Sequence, residues 1–99
     1  MKILLINTPW GQYKLLPEVI ASNRADYYAC EVDGFEIGSE EWKEEVGWVL
    51  NDEYELKDWM LGNMNWEDIK DIATKVSDRI LVSEPDFWRR MEDIKLIEV

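Results

Sequence analysis

Carboxylates are the commonest side chains in this sequence that could do chemistry. Glu40, Glu41, Glu44 and Glu45 crowd one short stretch, and Asp52, Glu53, Glu55 and Asp58 follow closely. Two such groups can act as general acid and base when their surroundings drive their pKa values apart, as in glycoside hydrolysis. Nothing in the spacing marks two of them as buried together in a cleft, so a carboxylate hydrolase ranks last among the readings. Histidine is absent, which removes the usual base near neutral pH and the commonest transition-metal ligand. Cys30 is the only cysteine, and with no histidine to activate it the expected role is inert packing in the interior. Neither residues 31–36 nor residues 51–55 fit the twelve-residue calcium loop. The glycine-rich phosphate loops and the C-x-x-C zinc spacing are also missing. The chain therefore reads as a non-enzyme, with no catalytic, cofactor-binding or metal-ligating residue and no cofactor.

The carboxylates have a second use, as a surface. The chain of 99 residues carries 22 acids against 11 bases, a formal charge of −11. Residues 31–71 hold fourteen of the acids and only Lys43, Lys57 and Lys70, so the whole net charge belongs to that segment while the two ends balance. Such a charge repels nucleic-acid phosphates and anionic lipid, which excludes direct nucleic-acid and membrane-surface binding. Two readings compete for the acidic segment. One is an ordinary solvated helix face. The other is a docking surface for a basic protein, in which Trp48, beside Glu40, Glu41, Glu44 and Glu45, supplies the apolar anchor. The four glutamates span roughly 9 Å of helix and, less Lys43, place one net charge per about 3 Å, close to the phosphate spacing along a DNA strand. Nucleic-acid mimicry is a special case of the docking reading.

The elements that would position these residues follow from periodicity and caps. Lys2 to Ile6 reads as a strand covered on both faces, ended by Asn7-Thr8-Pro9-Trp10-Gly11. Pro17 at a first turn predicts a helix over 17–29, with Leu16, Ile20, Tyr27 and Tyr28 on one face and Arg24 among them. Ser39 caps a helix reaching Leu50, with Trp42, Val46, Val49 and Leu50 as its buried stripe. A shorter helix over 53–62 groups Leu56, Trp59 and Met60. Asn65 caps a further helix with Trp66, Ile69, Ile72, Ala73 and Val76 on one face, and Asp71 is spaced to pair with Lys75. Arg79 to Val82 reads as a second strand, Ser83 to Asp86 as one helical turn around Pro85, and Ile94 to Val99 as a third strand. The expected fold is α+β, a small sheet of about three strands from the chain ends with three to four helices packed on it, in a single domain over 1–99. Trp10, Trp48 and Trp88 are the tryptophans hardest to bury and are candidates for contact with another chain. The Arg89-Arg90 pair either binds the chain's own acids or meets the acidic face of a second copy.

The run Ile20-Ala21-Ser22-Asn23-Arg24-Ala25-Asp26-Tyr27-Tyr28-Ala29, then Asp52-Glu53-Tyr54-Glu55-Leu56-Lys57-Asp58-Trp59 and Asn63-Met64-Asn65-Trp66-Glu67-Asp68, is similar to segments of small acidic proteins encoded by tailed phages. That resemblance spans residues 17–70 and brings no catalytic signature and no site residue. It implies a phage-encoded inhibitor or adaptor that occupies a host protein. The expected partner is thus a basic host protein, with a nucleic-acid-binding protein the natural target. The expected interface is Glu40, Glu41, Glu44, Glu45, Trp48, Asp52, Glu53, Glu55 and Asp58. The alternative is a structural subunit that pairs an edge strand, Lys2 to Ile6 or Ile94 to Val99, with a second copy as a homodimer. With no signal-peptide pattern, no membrane-spanning run and a single cysteine, the expected location is cytoplasmic, in the host cell if the chain is phage-encoded.

Overall fold

The apolar run Ile3-Leu4-Leu5-Ile6 lies within β1, Lys2–Thr8, whose two-residue period points Leu4, Ile6 and Thr8 to one side and Ile3, Leu5 and Asn7 to the other. The computed structural model describes residues 1–99. β1 does not end at Ile6. It runs to Thr8, turns through Pro9-Trp10, and returns as β2, Gly11–Leu15, pairing Thr8 with Gly11 and Leu4 with Leu15. The buried Thr8 side chain holds the turn by donating to the Gly11 carbonyl at 2.8 Å and accepting from the Trp10 N–H at 3.1 Å. Gly11 has φ +139, and a Cβ there would lie 2.5 Å from the Ser77 carbonyl, so only glycine fits.

Pro17 opens α1, Pro17–Tyr27, which widens into a π-helical turn, Tyr28–Asp33. Its buried residues are Pro17, Ile20, Ala21, Arg24 and Ala25, whereas Leu16 and Tyr27, both expected on that face, are nearly half exposed. Ser39 caps α2, Glu40–Leu50, by accepting from the Trp42 N–H. Asp52 caps α3, Glu53–Asn63, by accepting from the Glu55 N–H at 3.1 Å. The Asp68 carboxylate accepts from the Asn65 N–H at 2.8 Å and starts α4, Trp66–Ile69.

α4 lasts one turn, not the length expected from its apolar stripe. Residues Thr74–Ser77 form β3, an edge strand paired antiparallel with β2. Thr74 and Val76 are β-branched, and the open edge of β2 offers ladder hydrogen bonds that outweigh a helical pattern. Ile72 and Val76 are consequently exposed, and Lys75 pairs with Asp78 at 2.7 Å instead of Asp71. The expected strand at Arg79 to Val82 is absent: this stretch joins no ladder, and of its apolar residues only Val82 is buried. The turn at Glu84–Asp86 forms as expected, with the Ser83 hydroxyl donating to Asp86 at 3.0 Å. A second short turn, Met91–Asp93, leads into β4, Ile94–Glu98.

The sheet is fully antiparallel in the order β3-β2-β1-β4, four strands where about three were expected. Lys2 to Ile6, expected as a possible edge strand, is paired on both sides by β2 and β4 and has no free edge, which leaves β4 as the edge of the two. The fold is α+β. Leu4, Ile6, Leu15 and Ile94 on the inner face of the sheet pack against Ile20, Ala21, Val49, Leu56, Trp59, Met60, Met64 and Ile69 in one core. Three indole N–H groups tie the helical side together: Trp42 of α2 donates to Asp26 of α1 at 2.7 Å, Trp59 of α3 to Asn23 of α1 at 2.9 Å, and Trp88 to the Met64 carbonyl just past α3 at 2.8 Å. On the outer face Ile3 is buried and Leu5 half-buried, between Lys14 and Lys95.

Candidate functional site

At about 100° per residue, Glu40, Glu41, Glu44 and Trp48 fall within an arc of about 100° on α2, directly away from the side of Trp42, Val46 and Val49. All four are exposed, Trp48 to 54%. Lys43 lies on the flank of this arc and reaches Glu40 at 3.5 Å, while Glu41 and Glu44 have no cation in ion-pair range. The helix turns back at Asn51 and Asp52, and α3 presents Tyr54, 62% exposed, and Asp58 on its outward side.

The remaining expected interface residues are used differently. Glu45 and Glu55 come from separate helices and converge on Arg24 of α1, at 2.9 Å and 3.9 Å. Arg24 is 8% exposed, with its guanidinium carbon 4.5 Å from the centre of the Tyr28 ring and 5.1 Å from that of Trp48. Its Nε is buried without a hydrogen-bond partner. A planar cation between two rings and two carboxylates is a strut: it joins α1, α2 and α3 and fixes the angle at which Trp48 stands in solvent. Glu53 turns to the other flank of α3 and pairs with Lys57 at 3.3 Å, and Asp52 is occupied as the helix cap. The nine residues therefore divide. Glu40, Glu41, Glu44, Trp48 and Asp58 face outward, Glu45 and Glu55 are partly neutralised, and Asp52 and Glu53 serve their own helix.

Sequence reasoning placed Arg24 on an apolar face without assigning it a task. A lone arginine among apolar positions was the available signal, since burial of a guanidinium demands acids from elsewhere in the chain. Tyr54, outside the nine expected residues, adjoins the acidic residues of α3 and is exposed. Cys30, expected to be buried, is exposed. Of the basic pair, Arg90 binds Asp93 through two hydrogen bonds at 2.9 and 3.1 Å, and Arg89 has no ion pair.

Two carboxyls are held below their ordinary range, each chiefly by a hydrogen bond from one cation, with Lys2 adding to the effect at Glu98. The Met1 ammonium hydrogen-bonds Glu98 at 2.7 Å, and Lys75 does the same for Asp78. No three histidine, cysteine or acidic side chains are arranged to hold a metal ion, and no helix is long and apolar enough to cross a membrane. No protein-family model, curated protein or solved structure matches the chain.

Proposed function

We propose that the chain is a non-enzymatic binding protein that docks on a basic protein through the outward sides of α2 and α3. The observation that carries this reading is Trp48, half in solvent and backed by Arg24, beside Glu41 and Glu44, which no cation neutralises. A bare carboxylate surface steers a partner but desolvates poorly, and an indole at its centre supplies apolar burial. The partner is a basic protein of the host cell, a nucleic-acid-binding one being the natural target, and the setting is the host cytoplasm of a phage-encoded inhibitor or mimic.

Glu41→Lys/Glu44→Lys is the test variant, because both side chains are exposed and neither belongs to the Arg24 strut. In a pull-down from host lysate followed by kinetics on the retained basic protein, raising the salt slows association, and the double reversal slows it by about tenfold or more at low salt. An association rate unchanged by ionic strength and by the reversal refutes the reading. A second reading, self-assembly through an edge strand, rests on β4, Ile94–Glu98, which lies at the edge of the sheet with one side pairing no other strand. Light scattering tests it: a monomer at high concentration removes it.

A further inference from the structure

A second group of rings gathers at the far end of the first hairpin. Trp10 in the turn and Trp66 at the start of α4 lie nearly parallel, 13° apart with centroids at 6.4 Å, and Tyr13 meets Trp66 edge-on at 5.1 Å. Phe87 and Trp88 pack behind them. With Glu67, Lys70 and Asp71, the first three rings line an open cavity of about 420 Å³, within the range of small-ligand sites.

The support beneath this groove is costly. Trp88 holds φ +65, a left-handed conformation that an aromatic residue rarely adopts, and its indole N–H is tied to the Met64 carbonyl. The Thr8 hydrogen bonds and the Gly11 close approach fix the turn that carries Trp10. Strain of this kind persists where the surroundings over-determine it, and it collects at binding sites. Despite this support, Trp10 remains 48% exposed.

Charge selects the occupant. Lys70 is tied to Glu67 at 2.6 Å, which leaves Asp71 as the unbalanced charge of the groove in a chain of net charge −11. An anion is repelled and an organic cation attracted. Nearly parallel indoles beside a carboxylate suit a planar guanidinium, which stacks on rings and forks onto carboxylates, better than a compact ammonium. The chain already uses this chemistry once, where Arg24 lies over Tyr28 and Trp48 between Glu45 and Glu55.

We propose that the groove of Trp10, Tyr13 and Trp66 binds an arginine side chain of a basic polypeptide, with the guanidinium against the exposed indole of Trp10 and Asp71 as its counter-charge. The groove shares no residue with the α2–α3 face, so it stands or falls separately from that surface.

The test follows the indole N–H signals by NMR during titration with N-acetylarginine amide. N-acetylcitrulline amide, a neutral analogue of similar shape, and methyl glucoside serve as comparisons. The Trp10 and Trp66 signals move and saturate with the arginine compound, which binds at least about fivefold more tightly than the citrulline compound. Asp71→Asn weakens binding several-fold and leaves the melting temperature unchanged, because Asp71 is exposed and unpaired. Trp10→Ala abolishes binding. Equal affinity for citrulline overturns the proposal, as does matching binding of the glucoside, which makes the groove a sugar site. Movement of the Trp48 signal alone overturns it too, while supporting the α2–α3 face. Silence of all six indoles also refutes it.

Discussion

Replacing Arg24 with methionine keeps an apolar stem of similar length and deletes the guanidinium on which three helices meet. The ion pair to Glu45 at 2.9 Å is lost, and Glu55 at 3.9 Å loses its neighbour. Both carboxylates are about one-third exposed, at 34% and 32%, so solvent screens them in part. The pair lies between a surface salt bridge and a buried one, worth about 1–2 kcal/mol. Stacking on Tyr28 and Trp48 adds about 0.5–1 kcal/mol for each ring. Against this, the variant no longer buries an unpartnered Nε, which returns about 1 kcal/mol. The net expectation is a loss of about 2 kcal/mol, a large share of the roughly 5–15 kcal/mol that holds a domain of this size. At about 4–8 °C per kcal/mol, the melting temperature falls by roughly 10 °C. Urea titration followed by tryptophan fluorescence measures the loss, and a double-mutant cycle with Glu45→Gln isolates the pair. Coupling of about 1 kcal/mol is expected, since the two side chains touch. Parent-like stability of Arg24→Met, or strict additivity in the cycle, would show that Arg24 is not a strut and that Trp48 stands on other support.

Other expectations follow from single contacts. Gly11→Ala places a Cβ 2.5 Å from the Ser77 carbonyl at φ +139 and costs about 2 kcal/mol, seen as a lower urea midpoint; a parent-like midpoint would contradict the close approach. Trp42→Phe removes the indole N–H donated to Asp26 at 2.7 Å and lowers stability by about 1–2 kcal/mol in the same assay. The Glu98 carboxyl is held down by its hydrogen bond from the Met1 ammonium. Its folded value lies below its unfolded one, so its contribution is complete above about pH 4.3 and is lost as the pH falls through the folded value. Acetylating the N-terminus should return Glu98 to the ordinary carboxylate range in an NMR titration, and no change would discount the contact. Added salt should raise the stability of a chain with net charge −11 by screening the self-repulsion of the acidic segment, and a melting temperature that falls with moderate sodium chloride would argue against crowding of like charge.

Features that depend on neighbours a few residues apart were legible along the chain. Pro17, Ser39, Asp52 and Asn65 each start a helix where their local chemistry places one, and the stripes of α2 and α3 bury Val49, Leu56, Trp59 and Met60 as their spacing requires. The concentration of acid in residues 31–71, and the outward position of Glu40, Glu41, Glu44 and Trp48 on one side of α2, were legible in the same way, because helical periodicity alone sets them. Features that depend on partners far along the chain arise only once it folds. The helical stripe of Trp66, Ile69, Ile72, Ala73 and Val76 runs on into residues 74–77, yet these form a strand, because the edge of β2 satisfies their backbone groups. Glu45 and Glu55 leave the acidic surface for Arg24, 21 and 31 positions earlier, because a buried guanidinium needs counter-charge from whichever helix can reach it. Trp10, Tyr13 and Trp66 form a groove because the hairpin and α4 meet at one end of the sheet, and ring packing acts only between surfaces already brought into contact.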